Sequence, residues 1–100
     1  MSKFCISSPK GFHITFDNGY TLSVQFGPGN YCDNYDRKIM DDDVESGKDG
    51  STTAETAFWG PDGKMLSESE DGDSVQGYQT VEQVIQRLIR VHALPKQEVK

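Results

Sequence analysis

The residues best suited to chemistry in this chain are Cys32, the histidines His13 and His92, and two carboxylate-rich runs. A cysteine becomes a nucleophile when a neighbouring base or charge lowers its pKa. Nothing around Cys32 marks it as activated, and both histidines are distant in sequence, His13 on a strand face and His92 near a helix end. There is no G-x-S-x-G elbow, no glycine-rich phosphate loop followed by Lys and Ser/Thr, and no H-E-x-x-H zinc helix. Asp41-Asp42-Asp43 and Asp71-Gly72-Asp73-Ser74 are rich in oxygen, yet they lack the spaced carboxylates and closing glutamate of a calcium loop. Cys5 and Cys32 form no C-x-x-C pair, and no histidine cluster completes four zinc ligands. The expectation is a chain that is not an enzyme and holds no metal or cofactor.

Recognition is the better-supplied chemistry. Asn30, Tyr31 and Tyr35 lie in and after the stretch Gly27-Pro28-Gly29, and Trp59 ends a strand beside Gly60-Pro61. Aromatic rings and an amide next to backbone opened by glycine suit a flat ligand or a protein hot spot. For Trp59 the alternative is packing at the core edge, and for Tyr31 both readings stand. His13 heads a second candidate surface with Thr15, Thr21, Ser23 and Gln25, uncharged hydrogen-bonding residues that share one strand face. That face is either solvated or a binding surface; Lys and Glu would serve solubility better. Asp41, Asp42 and Asp43 are candidates for contact with a basic partner.

The elements that position these residues can be read from hydrophobic period. Residues 3–7 form a short strand, and Ser8-Pro9-Lys10-Gly11 turns the chain. Phe12, Ile14 and Phe16 alternate with His13 and Thr15, and after Asp17-Asn18-Gly19 the residues Tyr20, Leu22, Val24 and Phe26 alternate with Thr21, Ser23 and Gln25. A two-residue Asn18-Gly19 loop would pair Phe16 with Thr21 and Ile14 with Ser23, mixing apolar and polar residues on each face. A three-residue loop pairs Phe16 with Tyr20, Ile14 with Leu22 and Phe12 with Val24, so all six share a face. Gly19 suits the left-handed position which that loop needs.

Beyond the glycine-rich stretch, residues 33–53 read as a flexible acidic loop, either functional or disordered. Thr56-Ala57-Phe58-Trp59 is a strand, Gly60-Pro61-Asp62-Gly63 a tight turn, and Lys64-Met65-Leu66 the returning strand. Residues 67–74 form a second acidic loop and Val75 to Tyr78 a short edge strand. Thr80 caps a helix, Gln83 completes a capping box, and Glu82 sits in the first turn. Val81, Val84, Ile85, Leu88, Ile89 and Val91 or His92 follow the helical period and are expected to face the sheet, with Glu82, Gln86, Arg87 and Arg90 on the other side. Leu94-Pro95 ends the helix and 96–100 is a tail. The fold class is α+β: an antiparallel hairpin-built sheet of four to five strands with one C-terminal amphipathic helix on one face, in a single domain over 1–95. Cys5 is expected as a small core residue; Cys32 belongs either to the core or to the loop.

At 100 residues the chain has the size of one domain. A formal net charge of −6 argues against direct nucleic-acid binding. The N-terminus lacks the apolar run of a signal peptide, and no stretch approaches the roughly 20 apolar residues of a membrane span. A cytoplasmic protein with reduced cysteines and no membrane partner is expected.

The run Asn18-Gly19-Tyr20-Thr21-Leu22-Ser23-Val24-Gln25-Phe26-Gly27-Pro28-Gly29-Asn30-Tyr31-Cys32 resembles a family of small bacteriophage and mobile-element proteins with a G-x-T-x-S-V-Q-[FW]-G-P-G-N-Y strand-loop motif. The strand from Ala54-Glu55 to Trp59, the Asp62-Gly63 turn and Val75-Gln76-Gly77-Tyr78 before a helix are similar too. The likeness runs from residue 11 to 94 and leaves out the acidic insert 33–53. It carries over no site residues and implies a setting, a phage-type accessory protein in the bacterial host cytosol. Small acidic phage proteins frequently inhibit host defence, so the resemblance implies a counter-defence protein that binds a host defence protein, such as a CRISPR effector whose basic channel would attract the acidic loops. Two alternatives remain. One is a sponge, as an oligomer, that sequesters a nucleotide immune signal, with Arg37, Lys38, Arg87 and Arg90 to meet the phosphates. The other is a phage housekeeping or structural protein.

Overall fold

The computed structural model describes residues 2–7, 11–36, 50–67 and 74–96. Among the described residues, six strands, β1 (Lys3–Ser7), β2 (Gly11–Thr15), β3 (Thr21–Gln25), β4 (Thr53–Trp59), β5 (Met65–Leu66) and β6 (Val75–Thr80), precede one helix, α1 (Val81–His92). The strands form one antiparallel sheet in the order β1-β2-β3-β4. The far side of β4 is shared by two strands placed end to end, β5 on Phe58 and Trp59 and β6 on Thr53 to Ala57. The α+β class expected from the pattern is the class observed. β4 starts three residues earlier than the pattern suggested, and β6 runs on to Thr80. Among the described residues, no helix is long and apolar enough to cross a membrane.

The first hairpin has the expected register. Phe12 pairs with Val24 and Ile14 with Leu22, and the Phe16 N–H donates to the Tyr20 carbonyl at 2.8 Å. Gly19 takes φ +93°, the left-handed value that closes a three-residue loop. Phe16, Leu22, Val24, Ala54, Phe58 and Val91 form the buried core, with Phe12, Ile14, Tyr20, Val84 and Leu88 packed against it. Cys5 is not a core residue: it pairs with His13 on the opposite face and is half-buried. Cys32 is buried.

The helix forms as capped. The Thr80 hydroxyl accepts from the Gln83 N–H at 3.3 Å, and the Gln83 side chain accepts from the Thr80 N–H at 2.8 Å. Its orientation differs from the expectation. Arg87, assigned above to the solvent side, is fully buried, whereas Val81, Ile85 and Ile89, assigned to the core, are exposed. The cause is the junction: β6 runs into α1 with no loop, so the pairing of Thr80 with Thr53 determines where the first turn begins and which arc meets the sheet. A bulge between Ala54 and Thr56 breaks the β4–β6 ladder at that point. Arg87 supplies donors there, from one guanidinium nitrogen to the Thr56 carbonyl at 2.9 Å and hydroxyl at 2.8 Å. Its other terminal nitrogen donates to the Ser74 carbonyl at 3.4 Å, and the group lies 5.1 Å from the Phe58 ring centre. The Thr56 hydroxyl in turn donates to Gln79.

The hairpin turn also finishes the helix. The Asn18 amide nitrogen lies 2.9, 3.1 and 3.0 Å from the carbonyls of Val91, His92 and Leu94, in and just beyond the last turn, where carbonyls run out of intrahelical donors. Its Oδ1 accepts from the Tyr20 N–H at 3.0 Å. One side chain therefore ties the loop to α1 across the core. Asn18→Ala is expected to cost about 1–3 kcal/mol, read as a drop in Tm of roughly 4–8 °C per kcal/mol for a domain of this size; an unchanged Tm would remove the cap from the account.

Candidate functional site

On the sheet face away from α1, pairing lines residues up in rows. Cys5, His13, Ser23, Ala57 and Val75 form one row; Lys3, Thr15, Thr21, Trp59 and Met65 form the next. A solvated face would leave these side chains in water, but Thr21, Ser23 and Gln25 are buried. Neighbouring side chains shelter them. Trp59 meets the His13 ring edge-to-face at 5.0 Å and 87°. The Thr15 and Thr21 hydroxyls bond at 2.9 Å, and the Gln25 amide donates to Ser23 at 3.1 Å. The result is an open cleft of about 510 Å³ whose lining includes His13, Ser23, Gln25, Asn30, Glu55 and Trp59.

The Gly-Pro stretch closes one end of this cleft as a tightly bonded loop over residues 27–36. Its side chains alternate. Cys32 and Asn34 are buried, while Tyr31, Asp33 and Tyr35 are exposed. The inward groups hold the backbone. Asn34 donates to the Phe26 carbonyl at 2.8 Å, the Asn30 oxygen accepts from the Gly27 N–H at 3.1 Å, and the Cys32 thiol donates to the Gly27 carbonyl at 3.7 Å. β4 anchors the loop from the side: the Glu55 carboxylate accepts from the Tyr31 N–H at 2.9 Å, and the Thr53 hydroxyl accepts from the Asp33 N–H at 3.0 Å. Asp33 and Asn34, the first residues of the expected flexible loop, thus belong to this fixed turn.

The β6 bulge completes the arrangement. A side chain at Gly77 would bring its Cβ to 2.6 Å from the Tyr31 Cβ, so only glycine admits the loop here. Tyr78 follows in the left-handed region at φ +50° and donates its N–H to the Tyr31 carbonyl at 2.7 Å. Tyr31 and Tyr35 stack in parallel, 5.7 Å between ring centres and 6° between planes. Three exposed tyrosines therefore share one patch, continuous with the cleft through Val75, which lines both concavities.

The expected site residues fall into this geometry unequally. His13 and Trp59 pair in the cleft, Tyr31 and Tyr35 form the exposed stack, and Asn30 serves the loop while edging the cleft. Asp41, Asp42 and Asp43 lie outside the described residues, as do Arg37, Lys38 and the Ser8-Pro9-Lys10 turn. Arg87 is corrected from a phosphate ligand to a core residue on the other face. Glu55, Gly77 and Tyr78 were missed. An isolated glycine within a strand pattern is the signal that could have marked the bulge. Among the described residues, no group of three or more His, Cys, Asp or Glu could hold a metal ion.

The hydroxyls of Thr52 and Thr53, donating to the Asp33 carboxylate, hold it below the usual carboxylate range. The folded-state pKa lies below the unfolded one, so this anchor stabilises above the ordinary value of 3.8 and is lost as pH falls through the lowered value. The gap in unfolding free energy between wild type and Asp33→Asn should shrink as pH drops from about 5 towards 2. Urea titrations across that window check it, and a gap independent of pH would contradict the anchor.

No family model matches the chain, and neither does any curated protein or solved structure.

Proposed function

We propose that this chain is a non-enzymatic, phage-type accessory protein that binds and inhibits a protein component of bacterial antiviral defence. One observation carries the binding part: Tyr31, Tyr35 and Tyr78 stand exposed on backbone fixed by hydrogen bonds from their own loop, β4 and the β6 bulge. Tyrosine offers large amphipathic contact area at low conformational cost, and held in advance by its scaffold it loses little entropy on docking. The cleft beside it, with His13, Trp59 and buried uncharged hydrogen-bonding groups, extends the surface for a protruding segment of the partner. The defence setting rests on the strand-loop resemblance and on the acidic balance of the chain.

A second reading, capture of a nucleotide signal, draws on the same cleft, where the His13–Trp59 pair and the hydroxyl floor suit a flat base. Against it stands the supply of cations: Arg87 is engaged in the core. Affinity capture from bacterial lysate, with mass spectrometry of co-purifying proteins and of released small molecules, separates the two. A stoichiometric defence protein, together with restored phage plaquing when the chain is expressed in defended cells, supports the inhibitor. A nucleotide with no protein moves the assignment to the cleft and the sponge. Neither, with plaquing unchanged, favours a housekeeping role.

A further inference from the structure

Glu55 stands where the tyrosine patch meets the cleft. It pairs with Gln25 across the sheet, and on its other side the β6 bulge sets two residues, Gly77 and Tyr78, against it. The Glu55 Oε2 accepts from the Tyr31 N–H at 2.9 Å. Among the described residues no donor reaches Oε1. The carboxylate is half-buried and lines the cleft with His13 and Trp59, while Tyr31, Gly77 and Tyr78 line an adjoining open concavity of about 510 Å³. Val75 lines both, so the two form a trough rather than a pit. Among the described residues lining this trough, Glu55 is the one carboxylate, and no lysine or arginine accompanies it. Lys3 shares the sheet face but lies three strands and two rows away. Holding the Tyr31 N–H requires an acceptor and not a charge. A glutamine would serve without the cost of desolvating a carboxylate.

We infer that Glu55 receives an arginine side chain of the bound protein, carried on an extended segment laid along the trough. This rests on the reading of the tyrosine patch and cleft as a protein-binding surface and names the chemistry it selects. The charge is complementary: a single carboxylate in an uncharged, aromatic-lined trough favours one cation and repels a phosphate. A guanidinium suits the place better than an ammonium. Its planar fork stacks on aromatic rings and keeps spare donors for the hydroxyl and amide floor, and its weak hydration lowers the cost of entering a half-buried cleft. The stem of the arginine would lie beside Tyr31, whose ring is held by its stack with Tyr35. Glu55 thus does two jobs with two oxygens, one fixing the tyrosine loop and one reading the partner.

The test needs no defence protein. The probes are capped pentapeptides held extended by two prolines on each side of a central arginine, citrulline or glutamate. They are titrated into the full chain and followed by amide chemical shifts. The arginine peptide should shift Tyr31, Glu55, Ala57 and Trp59, and bind about fivefold or more tightly than the citrulline peptide, which keeps the shape and loses the charge. That preference should weaken in about 0.5 M salt. Glu55→Gln, which keeps an acceptor for the Tyr31 N–H, should abolish the preference with Tm unchanged. No binding up to about 20 mM, equal binding of arginine and citrulline, shifts confined to other surfaces, or a preference that survives Glu55→Gln would each overturn the inference. Its failure is distinct from that of the binding reading. A captured partner that binds Glu55→Gln as tightly as wild type removes the arginine and leaves the surface. An arginine-selective trough with no captured protein leaves the site and removes the defence role.

Discussion

Arg87→Ala should lower the unfolding free energy by about 3–5 kcal/mol, a large share of the roughly 5–15 kcal/mol that a domain of this size possesses. The guanidinium donates to the Thr56 carbonyl and hydroxyl and reaches Ser74, and it lies against the Phe58 ring. Alanine would leave buried acceptors at Thr56 without their donor and open a cavity beneath α1. Arg87→Met separates the two effects: it keeps an unbranched apolar stem and removes the donors, so its cost should be smaller than that of alanine. The measurement is the urea midpoint with an unchanged m-value. A loss below about 1 kcal/mol for Arg87→Ala would mean that solvent replaces the guanidinium and that the burial is not structural.

The second large effect concerns binding. Truncating Tyr31 and Tyr35 to alanine should each weaken binding to the captured defence protein about 30-fold or more, the equivalent of about 2 kcal/mol. The fold should survive. The structural work of Tyr31 is done by its N–H to Glu55, its carbonyl to Tyr78 and its Cβ beside Gly77, all of which alanine keeps. Calorimetric titration of the isolated partner against each variant, with Tm as the control for folding, gives the answer. If both variants bind like the wild type, the tyrosine patch is not the contact surface, and His13 and Trp59 in the cleft become the next residues to truncate.

Local pattern was enough for the first hairpin. Alternation over 12–26 admits one register that keeps Phe12, Ile14, Phe16, Tyr20, Leu22 and Val24 together, and Gly19 supplies the turn geometry that this register needs. The capping box at Thr80 and Gln83 was equally legible, because both partners lie within one turn of each other. The site was legible only in part. Tyr31 and Tyr35 stood out by type and by the glycines before them. Tyr78 did not, since its place beside Tyr31 results from a bulge that forms only when β6 pairs with β4.

The sequence by itself determined the α+β class, the hairpin with its three-residue loop, the ends of the helix and the polar composition of the second sheet face. Each follows from residues within about a dozen positions of one another, where period, turn chemistry and caps act directly. The tertiary structure alone decided the rotation of α1. Periodicity identifies an apolar arc about 200° wide from Arg87 to Ile89 only if Arg87 is counted with it, and nothing local says that a guanidinium belongs there. That assignment depends on Thr56, thirty-one positions away, meeting the helix where a bulge interrupts the ladder. The same holds for Asn18, whose amide closes a helix more than seventy residues downstream. Both are polar side chains satisfying backbone or hydroxyl groups brought close only by the completed fold. The free energy that selects their partners is the cost of leaving those groups unbonded once they are buried.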